Sequence, residues 1–393
     1  MRKLAYHFCF LISFQVFAQP ETDVYLLSIK DTAGKLQFEN VKNISDNAGY
    51  DNQPSFIDSN LLLYSSTRDG QTDIMVYDLN TAEKKWLTST PNGSEYSPLK
   101  IPGKNGISAI RLDKDGTQLL YQYDLESGDS EILLEDLKVG YHVWYNSNVL
   151  VTTVLIENRM DLVIANLSDG STNTYQKNVG RSLLKIPGTE LISYISKESK
   201  PWVLRSLNPV TGATSDIIAL PNDSEDVLWL PGGTLLTASG NTLARFDPKT
   251  DQSWVTIHQF KDLSLGKLSR MAVDPKQRYL ALVSEVSPVA VVQKQLDAYN
   301  ARDIDAFMET YSDDIKLFNF PNQLSQEGKE GMREGYGKFF QNTPDLHCEI
   351  KNRIVIGNKV IDEEYLTVNG GNFSAVAIYE VENGKIVKVT FLR

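Results

Sequence analysis

Asp362 and Glu364 lie two residues apart in a run rich in β-branched and aromatic side chains, Lys359-Val-Ile-Asp-Glu-Glu-Tyr-Leu-Thr-Val. In a strand, that spacing puts both carboxyls on one face and Glu363 and Tyr365 on the other. Two carboxyls facing one cavity raise the pKa of one of them and make an acid and base couple; facing water, they are an ordinary solvated surface, and this is the expectation here. His347 has the chemistry of a proton shuttle, or it is simply a polar strand residue. Tyr299, Asn319, Phe320, Asn352 and Tyr379 are the pocket candidates, because they fall on strands, strand ends or a helix that can border a curved sheet.

Other chemistries have less to stand on. His142 and His258 are far apart, with no His-x-x-x-His pair and no cysteine cluster, so neither a metal nor a cofactor is expected. Cys348 reads as a small buried hydrophobe rather than a nucleophile.

The elements that carry these residues begin after Pro288. Val292, Leu296, Tyr299, Ile304, Phe307 and Tyr311 recur at helical spacing in two stretches broken near Arg302 and Asp303. A strand over 315–320, a helix over 329–341 and four strand runs follow, with hairpin turns at Asn369-Gly370-Gly371 and Glu382-Asn383-Gly384. The pieces Tyr299-Asn-Ala-Arg-Asp-Ile-Asp-Ala-Phe, Gly328-Lys-Glu-Gly-Met-Arg and Tyr379-Glu-Val-Glu-Asn-Gly-Lys-Ile, in this order, resemble the SnoaL-like, nuclear-transport-factor-2-like superfamily. The resemblance implies a cone-shaped α+β domain over 287–393, and association into a homodimer through its sheet. It does not imply one activity, since the fold carries isomerases, cyclases, dehydratases and binding modules. Ketosteroid isomerase, a member, uses an Asp base with an oxyanion hole of Tyr and protonated Asp. Alignment puts Gln295, Asn319 and Val376 at those places, so that catalyst is not carried over, although Tyr299 lies one helical turn from the expected Tyr.

Before Glu285 the texture is all-β. Tyr77-Asp78-Leu79, Tyr123-Asp124-Leu125, Ala165-Asn166-Leu167, Ser206-Leu207-Asn208 and Arg245-Phe246-Asp247 each close a strand and open a polar turn, about 39 to 46 residues apart. That period is one propeller blade. The last repeat, 268–285, has room for two strands, and the stretches 24–30 and 36–44 supply two more, so joining them closes a ring of six blades and removes its free edges. Gln53-Pro-Ser-Phe, Leu61-Leu-Leu-Tyr-Ser-Ser-Thr-Arg-Asp-Gly and Thr72-Asp-Ile-Met-Val-Tyr-Asp-Leu resemble the repeat of TolB-like, WD40-like propellers, here over 19–286. Trp144, Trp202, Trp229 and Trp254 read as blade core. No Gly-x-Ser-x-Gly elbow follows the propeller, which sets aside the peptidases that carry related propellers.

A net charge of −11 disfavours nucleic acid and anionic membrane surfaces as partners. Arg2 and Lys3, an apolar stretch over 4–17 and Val16-Phe17-Ala18 have the form of a signal peptide over 1–18, implying a periplasmic or extracellular protein without a later membrane span. The resulting reading is an exported, non-enzymatic binding protein, with the propeller as partner platform and the cone as a ligand-binding or dimerising module. Two alternatives stand beside it: an isomerase or lyase acting on a small carbonyl or polyketide-like compound, and a carbohydrate or peptide receptor using the propeller face. N-terminal sequencing of protein recovered from the cell envelope is expected to begin near Gln19; a chain beginning at Met1 would contradict the signal.

Overall fold

The computed structural model describes residues 21–32, 34–91, 93–221, 224–261 and 265–392. The signal-like segment, with Cys9, lies outside them. No helix among the described residues is long and apolar enough to cross a membrane.

Six four-stranded antiparallel sheets follow one another between Thr22 and Val286. The first full blade runs from an inner strand at Asn52–Phe56 through Leu61–Arg68 and Gln71–Asp78 to an outer strand at Lys84–Trp86. The next four repeat this order, with inner strands at Gly93–Lys100, Val139–Trp144, Val179–Lys185 and Val227–Trp229. In the sixth blade the chain ends meet. Leu265–Val273 and Tyr279–Val286 are completed by Thr22–Thr32 and Lys35–Asn43, with Leu26 opposite Ala281 and Val24 opposite Val283. The six-bladed propeller expected from the repeat period is therefore present.

Second strands alternate little because both faces are covered by neighbouring blades: Leu62, Leu63, Ile107, Leu150 and Ile192 are all fully buried. Blades are also tied by a repeated polar contact. Trp144 on the third inner strand donates its indole N–H to Ser108 Oγ of the second blade at 2.8 Å, and Trp229 donates to Ser193 Oγ in the same relation at 2.9 Å. Both rings are buried, so they are core anchors, as their placement in strand-like runs implies.

Only Ser287 separates the last propeller strand from the first helix of the cone, α1 (Pro288–Ala301). Ser287 Oγ accepts from Val289 N–H and proline takes the first turn, which starts the helix without delay. Asp303 caps α2 (Ile304–Glu309) in the same way. Then come β1 (Tyr311–Asn319), β2 (Gln323–Glu327), α3 (Lys329–Asn342), β3 (His347–Ile356), β4 (Lys359–Val368), β5 (Gly371–Glu382) and β6 (Lys385–Leu392). They form one sheet in the order β2-β1-β6-β5-β4-β3, with β1 and β6 parallel and the other pairs antiparallel. The sequence misses β2, whose mostly exposed residues carry no alternating signal. Phe307, Met332, Phe340, Val360, Tyr379 and Val389 pack the helices on the sheet.

Closure of the ring buries a titratable group. Asp51 is fully buried beside the first strand, where Thr22 Oγ1 donates to its backbone carbonyl, and burial pushes its carboxyl up to about 7, partly offset by a hydrogen bond from Ser66. The folded state thus holds a proton that the unfolded chain releases near pH 4. The stability this lends is complete below pH 4 and is lost as the pH rises through 7, a change of at most roughly 4 kcal/mol. Asp51→Asn is expected to flatten the pH dependence of the urea midpoint between pH 4 and 7 and to raise the midpoint at pH 8. An unchanged slope would show that Asp51 does not hold the proton.

Candidate functional site

A cavity of about 50 Å³ opens between the helices of the cone and the concave face of its sheet. Gln295 and Tyr299 reach it from α1, Tyr311 from β1, Tyr336 from α3, Glu364 from β4 and Tyr379 from β5. Tyr299 sits one turn after Gln295 on the buried stripe of α1, and its ring packs against Phe307 and Phe340 with centroids 6.0 and 5.6 Å away. The end of α1 is pinned by a reciprocal pair: Asn300 Nδ2 donates to the Cys348 carbonyl at 3.0 Å and Cys348 N–H donates to Asn300 Oδ1 at 2.7 Å. Leu296, Leu366, Ala375 and Phe391 give the remaining walls an apolar character, and Phe373 stands partly exposed at the rim.

The polar floor is a carboxyl and two phenols. Tyr379 Oη donates to Glu364 Oε1 at 2.9 Å. Burial first, then the charge of Glu364, holds the Tyr379 phenol far above its ordinary range, and burial does the same to Tyr311, against a hydrogen bond with Gln295. Both phenols therefore stay protonated and are hydrogen-bond donors. Cys348 also lines the cavity, but burial and the charges of Glu364 and Asp362 push its thiol up to about 12, so it is neutral and not a nucleophile.

Asp362 and Glu364 share the buried face of β4, with side chains on the helix side rather than in water as expected from the sequence. They do not make an acid and base couple, because each has its own partner. Arg353 donates Nε and Nη2 to the two oxygens of Asp362, both at 2.7 Å, and its Nη1 to Gln293 Oε1 at 2.9 Å. A bidentate, nearly dry ion pair of this kind holds β3 to β4 and leaves Glu364 as the cavity's carboxyl.

The reason Arg353 can reach Asp362 is a bulge. The register of β3 against β4 slips between Ile350 and Asn352, so the buried parity changes from Cys348 and Ile350 to Arg353 and Val355. The same slip turns Asn352 out to the other face, beside Ile354, Ile361 and Glu363, which removes it from the candidate pocket. His347 precedes the buried Cys348 and is exposed, so it is not positioned as a proton shuttle. Asn319 ends β1 exposed and Phe320 follows it 61% exposed, so neither lines the cavity. Of the eight residues proposed from sequence, Tyr299, Glu364 and Tyr379 meet in one cavity. Gln295, Tyr311, Tyr336 and Phe391 were missed, although a Gln inside the apolar stripe of α1 was a readable sign. Among the described residues no group of three or more His, Cys, Asp or Glu could hold a metal.

A family model described as a SnoaL-like domain matches residues 292–389. A cystatin-fold protein from Novosphingobium aromaticivorans is 31% identical over 28% of this chain and 99% of its own, with a TM-score of 0.27. An LEH-like epoxide hydrolase of M. tuberculosis is 17% identical over 27% of this chain and 80% of its own, with a TM-score of 0.25. For the propeller, a protein assigned as TolB from Agrobacterium tumefaciens is 10% identical over 68% of this chain and 98% of its own, with a TM-score of 0.54, a likeness of fold. A search of curated proteins finds no match.

Arg353→Met is expected to destabilise the protein by about 3 to 5 kcal/mol by leaving Asp362 buried and unpaired, and adding Asp362→Leu is expected to recover much of the loss. Equal unfolding midpoints for the two variants in urea would contradict a desolvated pair.

Proposed function

We propose that the protein, whose residues 292–389 match a SnoaL-like domain, is an exported binding protein whose cone takes the hydroxyl-bearing end of a small neutral molecule. The observation that carries the reading is the Glu364 and Tyr379 pair in a cavity otherwise lined by aromatic and aliphatic side chains with Gln295 and Cys348. A carboxyl accepts from a ligand hydroxyl, Tyr379 orients that carboxyl by donating to it, and the protonated Tyr311 phenol donates to the ligand oxygen. An anion is disfavoured beside Glu364.

The size of the cavity constrains the ligand. At about 50 Å³ it is well below the roughly 150 Å³ that an apolar cavity needs for benzene. A polyketide-sized substrate does not fit within it, and a ligand larger than a few heavy atoms must leave most of its body at the rim, against Phe373 and Phe391. The propeller supplies the platform for a partner, and the signal-like segment over 1–18 supports export.

One observation favours the second reading, proton transfer to or from a carbon beside a carbonyl: a buried carboxyl lies beside phenols able to stabilise an enolate oxygen. Cyclohexanol, cyclohexanone and cyclohexanecarboxylate separate the readings when added to the full chain. Binding of the alcohol, seen by ligand-observed NMR, is expected to exceed that of the carboxylate and to weaken about tenfold in Glu364→Gln, the loss of one good hydrogen bond. Tyr379→Phe is expected to weaken it as well. Equal binding of alcohol and carboxylate would overturn the proposal. Exchange of the α-hydrogens of cyclohexanone in D2O, faster than buffer and abolished by Glu364→Gln, would replace it with the second reading.

A further inference from the structure

We infer that the channel of the propeller holds a second site, one for a carboxylate that adjoins a short apolar group. The inference rests on the inner strands alone and does not depend on the reading of the cone.

Each blade contributes one residue at a single level of the channel: Gln53, Ser97, Tyr141, Arg181, Asp226 and Arg270, about 40 to 45 residues apart. The level is not an ordinary stretch of strand. The register of the inner strand slips between Asn52 and Ser55, between Tyr96 and Leu99, between Val179 and Leu183, and between Ser269 and Met271. Gln53, Ser97, Arg181 and Arg270 thus each sit inside a bulge. Gln53 and Ser97 pay for it with positive φ values of 58° and 53°, a conformation that side chains other than Gly, Asn and Asp seldom adopt. Bulges re-aim side chains. Here they do so at one height in several blades, around a cavity of about 160 Å³.

The charges at this level do not balance. Arg181 spends Nε and Nη2 on the two oxygens of Asp226. Arg270 places its Nε 3.2 Å from the same carboxylate and its guanidinium 4.8 Å over the Tyr141 ring. One carboxylate therefore serves two guanidiniums. Glu225, 3.5 Å from Arg181, is itself paired with Lys197, so among the described residues the two guanidiniums face one carboxylate at this level, in a protein of net charge −11. Arg181 Nη1 and both Nη groups of Arg270 make no hydrogen bond among the described residues, and they are the donors a planar carboxylate accepts from in pairs.

Two orphaned polar atoms border the same cavity. Ser97 Oγ and His142 Nδ1 are buried and have no hydrogen-bond partner. The other ring nitrogen of His142 is 2.7 Å from Ser108 Oγ. Burial takes this imidazole down to about 3, so it stays neutral and offers one hydrogen-bonding site rather than a charge. Buried polar atoms left unpaired are costly and call for a partner. Pro54, Pro98, Leu99 and Met271 supply apolar wall for the group that carries the carboxylate. The volume is close to that of a cavity that takes benzene, about 150 Å³, which suits a single small acid or the last residue of a peptide and excludes a folded domain.

Isothermal titration of the full chain tests the site with four probes: N-acetylalanine and its amide, and acetyl-trialanine and its amide. The site is expected to bind at least one acid and to refuse the matching amide. Binding of N-acetylalanine alone assigns it to free small acids, and binding of acetyl-trialanine as tightly or more tightly assigns it to peptide C-termini. Arg270→Gln is expected to weaken the acid about tenfold, the loss of one charge-assisted pair. Arg270→Lys, which keeps the charge and loses the fork, is expected to fall between, and it replaces Arg270→Gln if circular dichroism shows that variant unfolded. The inference is overturned if neither acid binds at about 10 mM, beyond the millimolar limit of weak specific sites. It is equally overturned if acid and amide bind alike, or if a folded Arg270 variant binds the acid as the native protein does.

Discussion

The antiparallel pairing of Thr22–Thr32 with Tyr279–Val286 is the contact on which the rest of the molecule depends. A propeller blade covers its faces with its neighbours, and the ring is stable only when the last sheet meets the first. Here the chain makes that junction from its two ends, inserting an N-terminal strand between the final strand of the ring and an outer N-terminal strand. The pairing also fixes where the cone begins, because Val286 N–H donates to the Glu21 carbonyl and the next residue but one is already helical. Without it the blades would present exposed edges and the inner strands would have no common axis.

Both sites follow from departures from regular strand geometry rather than from regular strands. In the cone, one bulge in β3 reverses which side chains are buried, brings Arg353 to Asp362, and leaves Glu364 as the cavity's carboxyl. In the propeller, bulges at one level of the inner strands set two guanidiniums around a single carboxylate. The two places have opposite electrostatic character. The cone offers a carboxyl and neutral donors, and the channel offers guanidinium donors, so a molecule suited to one is rejected by the other.

The fold was legible because its signals are long. A polar corner every forty-odd residues and an abrupt change to helical spacing after Pro288 survive local irregularity. Tyr379 and Tyr299 were legible because strand alternation and helical spacing hold through them, whereas Glu364 was placed on the right strand face but expected in water. The other candidates were chosen for lying on strands or strand ends, and Asn352 fails because the parity of its strand reverses just before it, His347 because it stands on the exposed side opposite Cys348, and Asn319 and Phe320 because their strand end leaves the core. A bulge depends on what the neighbouring strand and the covering helix require, and no residue near Lys351 announces it. Asp362 was read in the right direction for strand face and the wrong one for solvent, since its partner Arg353 appears on the buried side only after that slip.

Hydrogen exchange followed by mass spectrometry tests closure most directly. If the two chain ends form one sheet, amides in 22–32 exchange as slowly as those in 279–286 and the two segments open together under increasing denaturant, at the free energy of the whole ring. Fast exchange of 22–32 while 279–286 stays protected would mean that the N-terminal strand is an appendage, and the closed ring, with the channel level it creates, would have to be abandoned.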